Sequence, residues 1–222
     1  KFRVAMSYVE RTSSFQHIEF RLTVIITELL AVLSVSAAAG FRVALPLLLI
    51  GLLSDELWSH VPGLSALPPT IVVGALVSWS LAELLFATRP LVQRLIHSVG
   101  LSLSPIVGAI AGIAVARTFQ TEAVTTAILG ILSGLLALVI HLVQVGWIYR
   151  LKHPKVWVIF AEDFLCVCLV LLAFDAPQQG GLIALLLLWL ALRTSQAWRR
   201  WYLAQAPQSD RRPPRRLKRE PD

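Results

Sequence analysis

Arg42 is the residue whose type and position most clearly indicate chemistry in this chain. It stands between two apolar runs, residues 22–39 and 44–53, and Pro46 follows four residues later. A charged side chain within a membrane segment is costly, so such residues usually face a cavity or a charged partner. We therefore predict that Arg42 takes part in a buried ion pair or a substrate contact, in preference to an interfacial position.

Carboxylates within apolar surroundings are the complementary groups. Glu28, Glu83 and the adjacent Glu162 and Asp163 all occur in such segments. They could act as counter-charges or proton acceptors, and Glu83 and Glu162 are the candidate partners of Arg42. Alternatively, Glu28 and Asp163 lie near the interface and cap a helix or extend toward water. For Glu83 the two interpretations are equally favoured.

Other reactive residues are isolated in the sequence. His141 has no second ligand at metal-binding spacing, so we predict that it hydrogen-bonds a neighbouring helix. Cys166 and Cys168 are predicted to be small core residues. The chain contains no nucleophile elbow, phosphate-binding loop, paired-histidine zinc motif or dinucleotide fingerprint. We therefore expect no enzymatic activity and no bound metal or cofactor.

The composition indicates the elements that must position these residues. Hydrophobic residues make up 56% of the chain and charged residues 15%, and the mean hydropathy is +0.71. Soluble domains carry about 25% charged residues. We predict an all-α, polytopic membrane helix bundle with about six crossings and a broken or re-entrant first element. The predicted spans are residues 22–53, 71–87, 101–116, 124–149, 156–173 and 182–197.

Charge in the connections supports this count. Basic residues are concentrated in the N-terminal segment, after the second and fourth spans, and in the C-terminal tail, whereas the other connections are mainly acidic. This alternation predicts that both termini are cytoplasmic. It requires residues 22–53 to make a single net crossing, although a helix of that length would reach about 48 Å across a core of about 30 Å.

A break in the first element would resolve the excess length. Gly40 is a plausible breakpoint, because glycine tolerates unusual backbone angles. A new helix would then begin near Phe41, with Pro46 in its first turns. Its positive N-terminal end and Arg42 would together attract an anion.

The remaining segments have simpler interpretations. Residues 1–21 are predicted to be a polar cytoplasmic segment, residues 22–202 the transmembrane domain, and residues 203–222 a disordered basic tail. From Arg193 onward the chain has nine basic and three acidic residues, which supply most of the net charge of +7. We expect this region to contact anionic lipid headgroups rather than nucleic acid.

Two patterns concern helix contacts. Gly108 and Gly112 in the third span, and Gly130 and Gly134 in the fourth, form two GxxxG faces. We predict that these helices pack on each other, with self-association as the lesser alternative. Residues 90–100 mix apolar and polar side chains and are predicted to form an interfacial amphipathic helix.

Three short motifs resemble those of the bacterial membrane family called domain of unknown function 4126. Residues 36–48 (SAAAGFRVALPLL) resemble its opening motif, and residues 82–85 (AELL) its acidic motif in the second span. Residues 153–154 (HP) with 161–163 (AED) resemble its late motif. The likeness covers roughly residues 30–193. It implies a membrane location, in a bacterial inner membrane or a thylakoid membrane, and a shared polar set of Gly40, Arg42, Pro46, Glu83, Glu162 and Asp163.

Two functional hypotheses follow. The first is a small transporter or channel-like protein for an anionic or polar solute, with Arg42 and the half-helix N-terminus binding the solute. Glu83 and Glu162 would serve as counter-ions or proton acceptors. The second is a scaffold or assembly subunit of a membrane complex, which would contact a second copy or another subunit. A water-accessible cavity at Arg42 would favour the transporter, whereas a paired and sealed Arg42 would favour the scaffold.

Overall fold

A computed structural model describes residues 2–53, 68–86, 90–119, 121–150 and 156–205. These residues are almost entirely helical, and the bundle of apolar helices confirms the predicted fold class. Five of the helices contain segments long and apolar enough to cross a membrane, while α2 and the apolar part of α3 are shorter. The helices are α1 (Phe2–Phe41), α2 (Ala44–Leu53), α3 (Pro69–Phe86), α4 (Pro90–Thr118), α5 (Ala123–Arg150), α6 (Val156–Asp175) and α7 (Pro177–Gln205).

The second half of α1 is the centre of the bundle. It packs against α4, α5, α6 and α7, and its small residues Ala37, Ala38 and Ala39 are completely buried. Small side chains let the surrounding backbones approach closely, which is how membrane helices gain packing contacts without a hydrophobic driving force between them. The second half of α1 therefore fixes the position of the turn that carries Arg42.

Helices α4 and α5 form the most extensive helix–helix contact among the described residues, as the two GxxxG faces predicted. A Cβ atom on Gly108 would lie 2.5 Å from the Cβ atom of Ala137. One on Gly134 would lie 2.6 Å from the carbonyl oxygen of Pro105. No larger residue fits at either position without moving a backbone, so the glycines set the distance between these helices.

The order of contacts along α1 gives the direction of its neighbours. The Ser34 hydroxyl donates to the carbonyl of Leu169 at 2.6 Å, and further along α1 Arg42 meets Asp163, so α6 is antiparallel to α1. Gly181, near the start of α7, packs on Leu30, and Leu187, further along α7, lines one space with Phe41 at the end of α1. Helix α7 is therefore parallel to α1.

These directions define two ends of the bundle. The Arg42 end contains the C-terminal ends of α1, α3, α5 and α7 and the first turns of α4 and α6. Arg42 lies against Glu83 and Asp163, and Gly40 contacts His141 of α5, which packs on Gly100 of α4. Phe41 lines one space with Leu187 of α7. At the opposite, Glu28 end, the buried Glu28 contacts the Thr121 hydroxyl between α4 and α5. Helices α1 and α3 both terminate at the Arg42 end.

The break in the first element lies at residues 42–43 rather than at Gly40. Gly40 is helical, and a Cβ atom there would lie 2.7 Å from the Cβ of Ile140 and 2.9 Å from the carbonyl of Ala137. Its small size thus serves close packing of α1 on α5, not a change of backbone angles. Pro46 lies in the first turn of α2 and is fully buried, as predicted.

Other boundaries differ from the sequence predictions. Residues 90–100 are not a separate interfacial helix, because α4 runs unbroken from Pro90 to Thr118. The predicted polar segment at residues 1–21 is helical from Phe2 onward and continuous with α1. Helix α7 reaches Gln205, and the rest of the predicted tail, residues 206–222, lies outside the described residues.

Candidate functional site

Arg42 is paired with carboxylates from two other helices. Its Nη1 atom lies 3.4 Å from Oε2 of Glu83 on α3, and its Nε atom lies 2.6 Å from Oδ1 of Asp163 on α6. The Nε–H is not aligned with the Asp163 oxygen, so that contact is ionic rather than a well-formed hydrogen bond. The Arg42 side chain is 12% exposed. The site therefore combines a chain break and a nearly buried ion-pair triad.

The chain break lets Arg42 reach both partners. Its own N–H still donates to the carbonyl of Ala38 at 3.1 Å, completing the last turn of α1. The side chain then leaves from the turn between α1 and α2, at the end of the apolar run rather than in its middle. Arg42 thus lies near one end of the bundle and is buried there, so the predicted ion pair is confirmed at a position that is shallower than the apolar run suggested.

Glu83 is held by a second donor from its own helix. The Trp79 indole Nε1–H donates to Oε1 of Glu83 at 2.8 Å, one turn earlier on α3. The two carboxylate oxygens are therefore divided between Trp79 and Arg42. This arrangement fixes the carboxylate in place and gives Trp79 a specific role.

The two adjacent acids on α6 point to different partners. Asp163 contacts Arg42, whereas Glu162 accepts a hydrogen bond at 2.9 Å from Nε2 of Gln144 on α5. Successive residues on a helix diverge by about 100°, so the two side chains leave α6 in different directions. The prediction that Glu162 pairs with Arg42 is wrong. Asp163, for which the sequence left both a counter-charge and an interfacial position open, is the ion-pair partner instead.

Two histidines lie beside the triad. The Nδ1–H of His141 donates to the Gly40 carbonyl at 3.0 Å, which confirms the predicted contact with a neighbouring helix. Its ring packs on Gly100, where a Cβ atom would lie 2.9 Å from Nε2. The ring of His97 lies 6.3 Å from that of His141. Sequence reasoning missed His97, although its spacing of three from Gly100 places both on one face of α4.

A small polar cavity joins these groups. Its volume is about 50 Å³, enough for a few water molecules. Among the residues whose side chains are described, three carboxylates and the guanidinium of Arg42 lie in or beside it. Among the described residues no three His, Cys, Asp or Glu side chains are grouped so as to hold a metal ion. The polar residues that line the cavity are Arg42, Glu83, His97, His141, Gln144 and Glu162.

The predicted site residues therefore separate into four groups. Arg42, Glu83 and Glu162 line the cavity, and Asp163 supports it as an ion-pair partner. Gly40 contributes its carbonyl to His141. Pro46 is buried within α2 and does not line the cavity.

The family assignment rests on a match across most of the bundle. The family model described as domain of unknown function 4126 (DUF4126) matches residues 29–197. The chain belongs to this family. No curated protein and no solved structure matches the chain. The DUF4126 region contains every residue of the ion-pair triad and its cavity, from Arg42 to Asp163, so the site lies within the part that defines the family.

Proposed function

We propose that this integral membrane protein is a small transporter or channel-like protein for a small polar solute, with its site in the cavity at Arg42. The supporting observation is the convergence of charged side chains from the α1–α2 turn, α3 and α6 on a water-sized space within an apolar bundle. Ionisable groups at membrane depth are costly and usually mark an ion or substrate pathway.

The charges favour a cation or a proton over an anion. Arg42 is already neutralised by Glu83 and Asp163. Glu162 adds a further carboxylate whose contact is the neutral amide of Gln144. An anion entering the cavity would meet more negative than positive groups, so the anion selectivity suggested by the sequence is the less favourable choice. In this proposal Glu83 and Glu162 accept protons or bind the cation, and Arg42 is the internal counter-ion.

Helix α2 is the element that would admit the solute. Its ten residues span about 15 Å, half of a typical bilayer core. We propose that α2 re-enters the bundle from the Arg42 end. We propose that this end faces the cytoplasm, because basic residues follow α3 and α5 and occur in the tail, while the basic residues before the span of α1 lie toward the Glu28 end. The tail there would contact anionic lipid headgroups, in a bacterial inner membrane or a thylakoid membrane.

The scaffold hypothesis also has a supporting observation. The Arg42 side chain is 12% exposed and contacts two carboxylates, so the triad could serve only to lock α1, α3 and α6 together. In that case the partner would be a second copy of the chain or another subunit of a membrane complex, and no solute would cross.

Flux measurements separate the two functions. The full chain is reconstituted into vesicles that contain a pH-sensitive dye, and a potassium diffusion potential is applied in one series and a sodium gradient in another. We expect wild-type protein to carry proton or cation current, and Glu162→Gln to reduce it severely. Glu122→Gln is the matched control, because Glu122 is an exposed carboxylate outside the cavity.

A second pair of variants tests the role of Arg42. Arg42→Ala should abolish flux, whereas Arg117→Ala, which removes an exposed arginine at the end of α4, should leave it unchanged. Folding is verified by a monodisperse elution profile in detergent. Wild-type vesicles with no more flux than protein-free vesicles would overturn the transport proposal and favour the scaffold.

A further inference from the structure

A second space lies beside the polar cavity, between α5, α6 and α7, and we call it the lateral groove. Its volume is about 220 Å³, and Phe41 contributes to its lining. Gln144 and Glu162 line both spaces. The groove is smaller than the pockets of about 300–1,000 Å³ that hold drug-sized ligands. Its size suits one hydrocarbon chain.

The lining of the lateral groove is ordered by depth. On α5, Ile140 lies deeper in the bundle than Gln144, and on α6, Leu165 lies deeper than Glu162. On α7, Leu187 is likewise deeper than Thr194 at the Arg42 end. Each of the three helices therefore contributes one polar group that lies nearer the Arg42 end than an apolar lining residue of the same helix, and Trp147 on α5 lies one turn beyond Gln144 toward that end. This order matches a single-chain amphiphile with its head at the Arg42 end.

The polar end indicates the chemistry of the head group. The Oε1 atom of Gln144 has no hydrogen-bond partner among the described residues, and the Gln144 side chain is more than nine-tenths buried. Glu162 lies beside it and forms no ion pair within the described chain. None of the residues that line the groove is Lys, Arg or His. The groove thus offers hydrogen-bond acceptors and negative charge, and a primary ammonium complements both.

We propose that the lateral groove binds a single-chain amphiphile with a primary ammonium head from the bilayer. The ammonium would lie against the Glu162 carboxylate and Oε1 of Gln144, beside the existing Gln144–Glu162 hydrogen bond, and the chain would lie along Ile140, Leu165 and Leu187. This site does not depend on the transport proposal, because binding would occur whether or not a solute crosses the membrane.

Photolabelling tests the site directly. The full chain is placed in nanodiscs of phosphatidylcholine, whose quaternary ammonium carries no N–H to donate. The probe is dodecylamine with a diazirine at the chain end, and labelled peptides are mapped by mass spectrometry. We expect labels on the groove faces of α5, α6 and α7, and competition by decylamine about tenfold stronger than by decanol, because a charge-assisted hydrogen bond is lost with the alcohol.

Variants identify the two parts of the site. Leu187→Trp should fill the groove and reduce labelling severalfold, whereas Leu186→Trp, on the exposed face of the same helix, should not. Glu162→Gln should remove the preference for decylamine over decanol, and Asp175→Asn, an exposed acid at the Glu28 end, should retain it. Labels spread over the whole apolar surface, unchanged labelling of Leu187→Trp, or equal competition by decanol in the wild type would overturn the proposal.

Discussion

Nε of Arg42 lies 2.6 Å from Oδ1 of Asp163, so an ion pair joins the chain break after α1 to the continuous helix α6. The guanidinium leaves the turn between α1 and α2, and the carboxylate projects from the second turn of α6 toward it. Glu83 completes the triad from α3. Three segments far apart in the sequence are thereby joined at one end of the bundle.

The first prediction concerns this ion pair. Asp163→Asn should lower the free energy of unfolding by about 1–3 kcal/mol, because Arg42 keeps Glu83 but loses a partly buried charged partner. The matched control is Asp175→Asn, at the exposed last residue of α6. The free energy of unfolding of both variants is measured in mixed micelles that contain an increasing fraction of denaturing detergent. Equal stability of the two variants would show that the Arg42–Asp163 contact contributes nothing measurable.

The second prediction separates the adjacent acids on α6. Glu162→Gln should affect stability less than Asp163→Asn, because the Gln144 amide can still hydrogen-bond the new side-chain carbonyl. The same variant should nevertheless lose flux, since it can no longer accept a proton. Stability and flux measured on one preparation test both statements. A larger loss of stability at Glu162 would contradict the assignment of Asp163 as the structural partner.

The third prediction concerns Gly40. Gly40→Ala places a Cβ atom 2.7 Å from that of Ile140 and 2.9 Å from the Ala137 carbonyl, so α1 and α5 must separate. Overpacking of this kind costs about 1–3 kcal/mol. Gly74→Ala on α3 is the control, because nothing lies within 4 Å of the added atom. Unfolding midpoints that move equally for both variants would refute the close-packing role.

The fourth prediction concerns Trp79. Trp79→Phe removes the donor to Glu83 and leaves that carboxylate with Arg42 as its neighbour. The expected loss of stability is about 1 kcal/mol, the usual contribution of a hydrogen bond. Trp157→Phe, at a position that is 80% exposed, should be neutral. The two are compared by thermal unfolding in the same detergent.

The fifth prediction concerns the side of the membrane on which each end of the helix bundle lies. Because α1 and α7 run parallel, single cysteines at Glu19 and Arg200 should react with an impermeant maleimide from opposite sides of sealed vesicles. The charge pattern of the sequence instead predicts one side for both. A cysteine at Phe119, at the Glu28 end, should react from the same side as Glu19. The background variant carries Cys166→Ala and Cys168→Ala. Labelling of the cysteines that replace Glu19 and Arg200 from the same side would contradict the parallel arrangement.

The sequence by itself determined the membrane class, most of the helices and part of the site. Long apolar runs must be helical in lipid, because each backbone polar group needs a partner within its own segment. The same reasoning selected Arg42 and Glu83, since charges at such positions require a partner. The spacing of Gly108 and Gly112 likewise predicted the α4–α5 contact, because a helix places residues four apart on one face.

Only the tertiary structure decided which groups meet. Glu162 and Asp163 are neighbours in sequence with similar chemistry, and the rotation of α6 about its axis selects Asp163 for Arg42. Glycine is a residue type expected at a helix break, but Gly40 is helical and packs against Ile140. His97 joins the site because α4 crosses the bundle at that level. Hydropathy and charge are properties of a segment, whereas helix rotation, direction and neighbours depend on packing among segments distant in the chain.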